Sequence, residues 1–99
     1  MRAVDNSELA RWRELNAVTV LLALSDHAKQ DPSFKPLKDP STTRWHASVS
    51  GREFELLLTG PKFWDTRSNK GGGGAIDMTM GVLDLSFKQA AQLLTARGL

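Results

Sequence analysis

From Thr43 to Thr59, apolar and polar side chains alternate on both sides of Ser50-Gly51. A period of two that continues across a two-residue turn is the pattern of a β-hairpin with one face in a core and the other in solvent. If the loop is Ser50-Gly51, the register follows. Trp45 lies opposite Leu56 and Ala47 opposite Phe54 on one face, while His46 meets Glu55 and Ser48 meets Glu53 on the other. A slip of one residue would set apolar against polar throughout, so the register is specified by the burial pattern itself. Gly60-Pro61 suits a second tight turn of type II′, with glycine where φ is positive. Lys62–Asp65 then reads as a third strand, with Phe63 joining Leu58 on the buried face and Trp64 emerging beside Leu57 on the other.

Helical patterns flank this sheet. Asp5 and Glu8 have capping-box spacing ahead of Leu9 and Trp12, which predicts a first helix over residues 7–13. Asn16 caps a second, with Val18, Leu21 and Leu22 on its inward face; a single bent helix over residues 7–24 is the alternative. Residues 25–43 turn polar and contain Pro32, Pro36 and Pro40, so a long loop without helix or central strand is expected. Residues 66–74 form a turn that ends in four consecutive glycines, Gly71, Gly72, Gly73 and Gly74. A helix follows with Ile76, Met80 and Leu83 inward, weakened or ended by Gly81. Ser86 and Gln89 form a second capping box for a last helix over residues 87–97, whose buried stripe is Phe87, Ala90, Ala91 and Leu94 and whose C′ residue is Gly98. The expected fold is one α+β domain over residues 1–99, a three-stranded antiparallel meander flanked by N-terminal and C-terminal helices. There is no internal repeat.

Composition removes several kinds of function. A chain of 99 residues buries only about 60–65% of its unfolded surface, enough for one modest core. The absence of cysteine excludes disulfides, a thiol nucleophile and thiolate zinc ligation, and His27 and His46 lack a helical ligand spacing, so no metal and no cofactor are expected. The longest apolar run, residues 17–24, falls far short of the roughly 20 residues that span a bilayer. No apolar stretch follows Arg2 as in a signal peptide, which makes a cytoplasmic location the expectation. The net charge of +2 has an address. Residues 1–40 carry six basic and six acidic side chains and residues 71–99 two of each, so the surplus comes from Arg44, Arg52, Lys62, Arg67 and Lys70 against Glu53, Glu55 and Asp65.

Two places carry candidate chemistry. The glycine run, entering a helix with Arg67 and Lys70 just before it, can offer backbone N–H groups and cations to a phosphate. It is not a P-loop, because the lysine precedes the glycines; a backbone that must turn tightly or pass close to a strand is the competing reading. The outer sheet face gathers Arg44, His46, Glu55, Leu57, Lys62 and Trp64. Cations beside an exposed indole are what single-stranded nucleic acid uses, unless Trp64 is instead covered by a terminal helix. His46 and Glu55 read as a polar cross-strand pair, and no serine, histidine and aspartate grouping stands out, so the chain is not expected to be an enzyme.

Three spaced elements carry a resemblance: Lys62-Phe63-Trp64-Asp65, Lys70 through the glycines to Ala75-Ile76-Asp77-Met78, and Leu85-Ser86-Phe87-Lys88-Gln89-Ala90. Together they resemble the second half of the N-terminal zinc-binding domain of DnaG-type bacterial primases, most closely the primase-like Toprim proteins of plasmids and integrating elements. The likeness covers about residues 43–97. The family's zinc ligands have no counterpart, so the resemblance implies a zinc-less relative of that zinc-ribbon-like domain, with Trp45, Phe54 and Phe63 as core where the metal would be. It also implies an accessory role in DNA replication: recognition of single-stranded template DNA through the sheet surface. Arg44, Lys62, Trp64, Arg67 and Lys70 are the positions carried over, and the Toprim carboxylates are expected beyond Leu99. A second reading is a protein-interaction module that docks the Toprim domain or another replication protein without binding DNA.

Overall fold

A computed structural model describes residues 5–99. The basic N-terminal stretch weighed above as a signal peptide falls largely in residues 1–4, outside the described residues. The chain begins with two helices, α1 (Asn6–Glu14) and α2 (Ala17–Leu24). They are separate because Leu15 and Asn16 are both extended; the Asn16 side chain accepts the Val18 N–H, as the Asp5 side chain accepts that of Glu8. The break frees the Ala17 N–H to donate to the Gly60 carbonyl at 2.8 Å, which ties the start of α2 to a turn of the sheet. The buried residues of α2 are Ala17, Val20, Leu21 and Leu24; Val18 packs partly buried against the core, and Leu22 does not. That i, i+3, i+4, i+7 arc leaves Leu22 on the far side of the helix, exposed.

The sheet has five antiparallel strands in chain order, β1 (His27–Gln30), β2 (Thr43–Val49), β3 (Arg52–Thr59), β4 (Lys62–Asp65) and β5 (Lys70–Gly73). The central three and their register are those expected: Trp45 pairs with Leu56, His46 with Glu55, Ala47 with Phe54 and Ser48 with Glu53. Ser50 and Gly51 have φ of 49° and 79°, positive at both positions as a type I′ turn requires. The left-handed Ser50 is held by its backbone N–H, which donates to the Asp26 carboxylate at 3.0 Å.

The expectation of three strands is corrected at both edges. β1 precedes the prolines and pairs with β2, His27 opposite Ser48 and Lys29 opposite His46. It buries almost nothing, so it carries no apolar alternation to announce it; instead the Asp26 N–H to the Ser48 carbonyl and the Asp31 N–H to the Arg44 carbonyl lock its two ends. β5 is the glycine run itself, paired with β4 as Trp64 with Gly71 and Phe63 with Gly72. Glycine is depleted in strands, so only tertiary structure explains this one. A Cβ on Gly71 would lie 2.5 Å from the Phe63 carbonyl oxygen and 2.7 Å from the Trp64 ring. The segment read as a turn is therefore a strand whose partner approaches too closely for a side chain.

Two more helices, α3 (Ala75–Leu83) and α4 (Phe87–Ala96), complete the chain. α3 buries Ala75, Met78, Thr79 and Val82, while Ile76, Met80 and Leu83 are only partly buried. The expected stripe is shifted because α1, α2, α4 and β5 all pack against this helix, so its buried arc is not set by its own apolar pattern. Gly81 does not end it: the Phe63 ring lies 3.4 Å from where its Cβ would be. α4 opens on the full Ser86–Gln89 capping box and buries Ala90, Ala91 and Leu94. Phe87, expected inside, is 45% exposed, because as the first helical residue it overhangs the end of the core beside Leu9 and Trp12. Gly98 follows with φ of 77°.

Phe54 and Phe63 belong to the core formed with Leu56, Leu58, Met78 and Leu94, and Trp45 is packed partly buried against it. The inward side chains of β2, β3 and β4 thus meet the helices, which leaves the opposite sheet face uncovered by them. No helix among the described residues is long and apolar enough to cross a membrane.

Candidate nucleic-acid interface

The pairing of the strands arranges the outer face in rows. Arg44, Leu57, Trp64 and Gly71 form one row across β2 to β5; Thr59, Lys62 and Gly73 form the next. Between these rows lies an open trough of about 550 Å³, lined by Leu57, Thr59, Lys62, Trp64, Gly71 and Gly73 among others. Trp64 is 44% exposed, so no terminal helix covers it. Its ring leans across the backbone of Gly71, which has no side chain to hold it off. Lys62 stands exposed on the rim, and its charge helps to hold the Asp39 carboxyl below its ordinary range, behind the stronger effect of hydrogen bonds from the Ser41 hydroxyl and N–H.

Arg44 shares the row but is committed elsewhere. Its Nε donates to Asp31 Oδ2 at 2.9 Å, its Nη2 reaches the same oxygen, and Nη1 lies 3.7 Å from Glu55. The guanidinium also stacks 5.1 Å from the centre of the Phe34 ring. Asp31 in turn accepts the Ser33 hydroxyl and backbone N–H, and His46 Nε2 lies 3.8 Å from its carboxylate. The Ser33 hydroxyl, then Arg44, hold the Asp31 carboxyl well below the usual range. Arg44 is therefore a clamp that fastens residues 31–34 to the sheet, with its charge largely compensated. His46 and Glu55 are paired in register as expected, and His46 Nε2 and the Glu55 carboxylate each lie beside this clamp.

The remaining two cations stand apart from the trough. Arg67 sits in the β4–β5 turn, where its backbone N–H donates to Asp65 and its guanidinium reaches the Glu53 carbonyl at 3.4 Å. Lys70 pairs in register with Asp65, one residue out of phase with Trp64 and Gly71, so it belongs to the opposite side of the sheet. There it lines a separate pocket of about 370 Å³ with Asp65, Ser68 and Asp77.

The glycine run has already spent two of its donors. The Gly73 N–H donates to the Asp77 carboxylate at 3.3 Å and the Gly74 N–H to the Pro61 carbonyl at 2.9 Å. Asp77, in the first turn of α3, places a carboxylate of the chain's own where a helix N-terminus would otherwise receive an anion. Gly74 serves as the N-cap with φ of 98°, a conformation only glycine adopts readily.

Of the five positions carried over from the resemblance, the fold brings Lys62 and Trp64 together in the trough, occupies Arg44, and sets Arg67 and Lys70 outside. Strand alternation alone could not place Asp31 or Phe34 against Arg44, because they reach it from the proline-rich loop. Compared with known proteins, the chain matches no family model, no curated protein and no solved structure.

Proposed function

We propose that this chain is a non-catalytic accessory domain that binds single-stranded DNA on its outer sheet face, as the template-recognition part of a Toprim-type primase of a mobile element. The observation that carries the DNA reading is the half-exposed Trp64 indole beside Lys62, over the glycines of β5. A base stacks on an indole for about 1–3 kcal/mol, whatever its identity, and a neighbouring cation takes the phosphate. The primase assignment rests on the resemblance.

With one stacking ring and Lys62 as the cation lining the trough, binding is weak, roughly 10⁻⁴ to 10⁻⁶ M at physiological salt. One phosphate contact gives a slope of about −0.7 in log K against log salt for a single strand. Titrating labelled oligothymidylate at low and moderate salt tests this. Trp64→Ala is expected to weaken binding about 5- to 150-fold, the equivalent of one stacked base. Absence of binding at low salt, or binding indifferent to Trp64→Ala combined with Lys62→Glu, refutes it. The compensation of Arg44 and the apolar pair Leu57 and Trp64 favour a second reading, a surface that docks a Toprim domain or other replication protein. Loss of that association on changing Leu57 and Trp64, without any DNA affinity to lose, would select it.

A further inference from the structure

We infer that Gly73 is a binding determinant: its missing side chain keeps the trough beside Trp64 open for a DNA base. The inference rests on the single-stranded DNA reading above. The chain has eight glycines, and six of them have a structural reason. Gly51, Gly60, Gly74 and Gly98 have positive φ; Gly71 and Gly72 face a neighbour within 3.0 Å of a would-be Cβ, and Gly81, in α3 and away from the trough, would make an ordinary contact with the Phe63 ring. Gly73 has neither. Its φ is not in the left-handed region, and the nearest atom to a Cβ there is Lys62 Cγ at 3.9 Å, an ordinary contact.

A strand position of this kind is better filled by almost any other residue, since glycine costs stability in a strand and leaves nothing to pack. The fold does not require Gly73, so its use points to what lies outside the fold. Gly73 pairs with Lys62 and is the diagonal neighbour of Trp64, and all three line the trough. Diagonal neighbours across a strand pair are within reach of an aromatic ring. A base lying against the indole therefore passes over Gly73, and a branched side chain there would stand in its place. The same substitution leaves Trp64 and the positive charge of Lys62 untouched.

The test compares the full chain with Gly73→Val, Gly73→Ala and Trp64→Ala, using labelled oligothymidylate of about 12 nucleotides, within the footprint of small single-strand binders. Gly73→Val is expected to raise Kd about fivefold or more and Gly73→Ala by less, with unfolding midpoints at or above that of the parent chain. If Gly73→Val binds like the parent while Trp64→Ala loses affinity, the inference fails and the DNA reading stands. If the parent does not bind at low salt, the DNA reading fails and takes the inference with it. A lowered unfolding midpoint for Gly73→Ala would also overturn the inference, because it would show that the fold itself needs the glycine.

Discussion

Gly71→Ala and Gly73→Ala separate two neighbouring, exposed positions of one strand that a surface rule would treat alike. A Cβ at Gly71 meets the Phe63 carbonyl oxygen at 2.5 Å, inside the roughly 3.3 Å at which carbon and a carbonyl oxygen make contact. The Trp64 ring, 2.7 Å away, can swing aside, but the carbonyl belongs to the β4 backbone and cannot move without disturbing its pairing with β5. Forcing an atom into filled space costs about 1–3 kcal/mol. Replacing a strand glycine by alanine returns roughly 0.5–1 kcal/mol in either variant. That gain cancels in the difference, so Gly71→Ala should lie about 1–3 kcal/mol below Gly73→Ala. For a domain of this size, each kcal/mol corresponds to about 4–8 °C in Tm. Urea and thermal unfolding followed by circular dichroism avoid reliance on Trp64 fluorescence, which the substitution itself perturbs. Equal midpoints for the two variants would refute the close approach of β4 and β5, and with it the reading of the glycine run as a paired strand.

Two further outcomes follow from local geometry. Ser86→Ala removes the oxygen that accepts the Gln89 N–H and breaks the reciprocal capping box of α4, and should cost about 1 kcal/mol in thermal unfolding. Asp31 has a folded pKa below its unfolded value, so its contribution to stability is present above the ordinary carboxylate range and lost as pH falls through the depressed folded value. Its carboxyl carbon should therefore remain in the ionised state in NMR below the usual titration range, and Ser33→Ala should move its midpoint up.

What the sequence makes legible here follows burial. The β2–β3 hairpin is readable to the residue because Ala47, Val49, Phe54, Leu56 and Leu58 are buried and their polar neighbours are not, so only one register satisfies them. The caps at Asp5, Asn16 and Ser86 are equally readable, since each is satisfied within three residues. β1 and β5 escape because neither carries an apolar alternation; one is fastened by Asp26 and Asp31, the other admitted by the lack of side chains. The inward arcs of α2 and α3 depart from the expected ones because small or polar residues take core positions, Ala17 among them in α2. In α3 the small Ala75 and the polar Thr79 sit inside, the latter with its hydroxyl donating to the Ala75 carbonyl at 2.7 Å. At the candidate site, alternation correctly puts Trp64 and Lys62 on the outer face. The capture of Arg44 by Asp31 and Phe34 depends on a loop conformation that no periodicity encodes.

Backbone and indole N–H chemical shifts, followed by NMR while oligothymidylate is added at low salt, address the central claim most directly. The account predicts changes at Leu57, Thr59, Lys62, Gly71, Gly73 and the Trp64 indole, and none on the buried faces of α2 and α4. Changes confined to Gly73, Gly74 and Asp77 at the start of α3, or no changes at all, would contradict it.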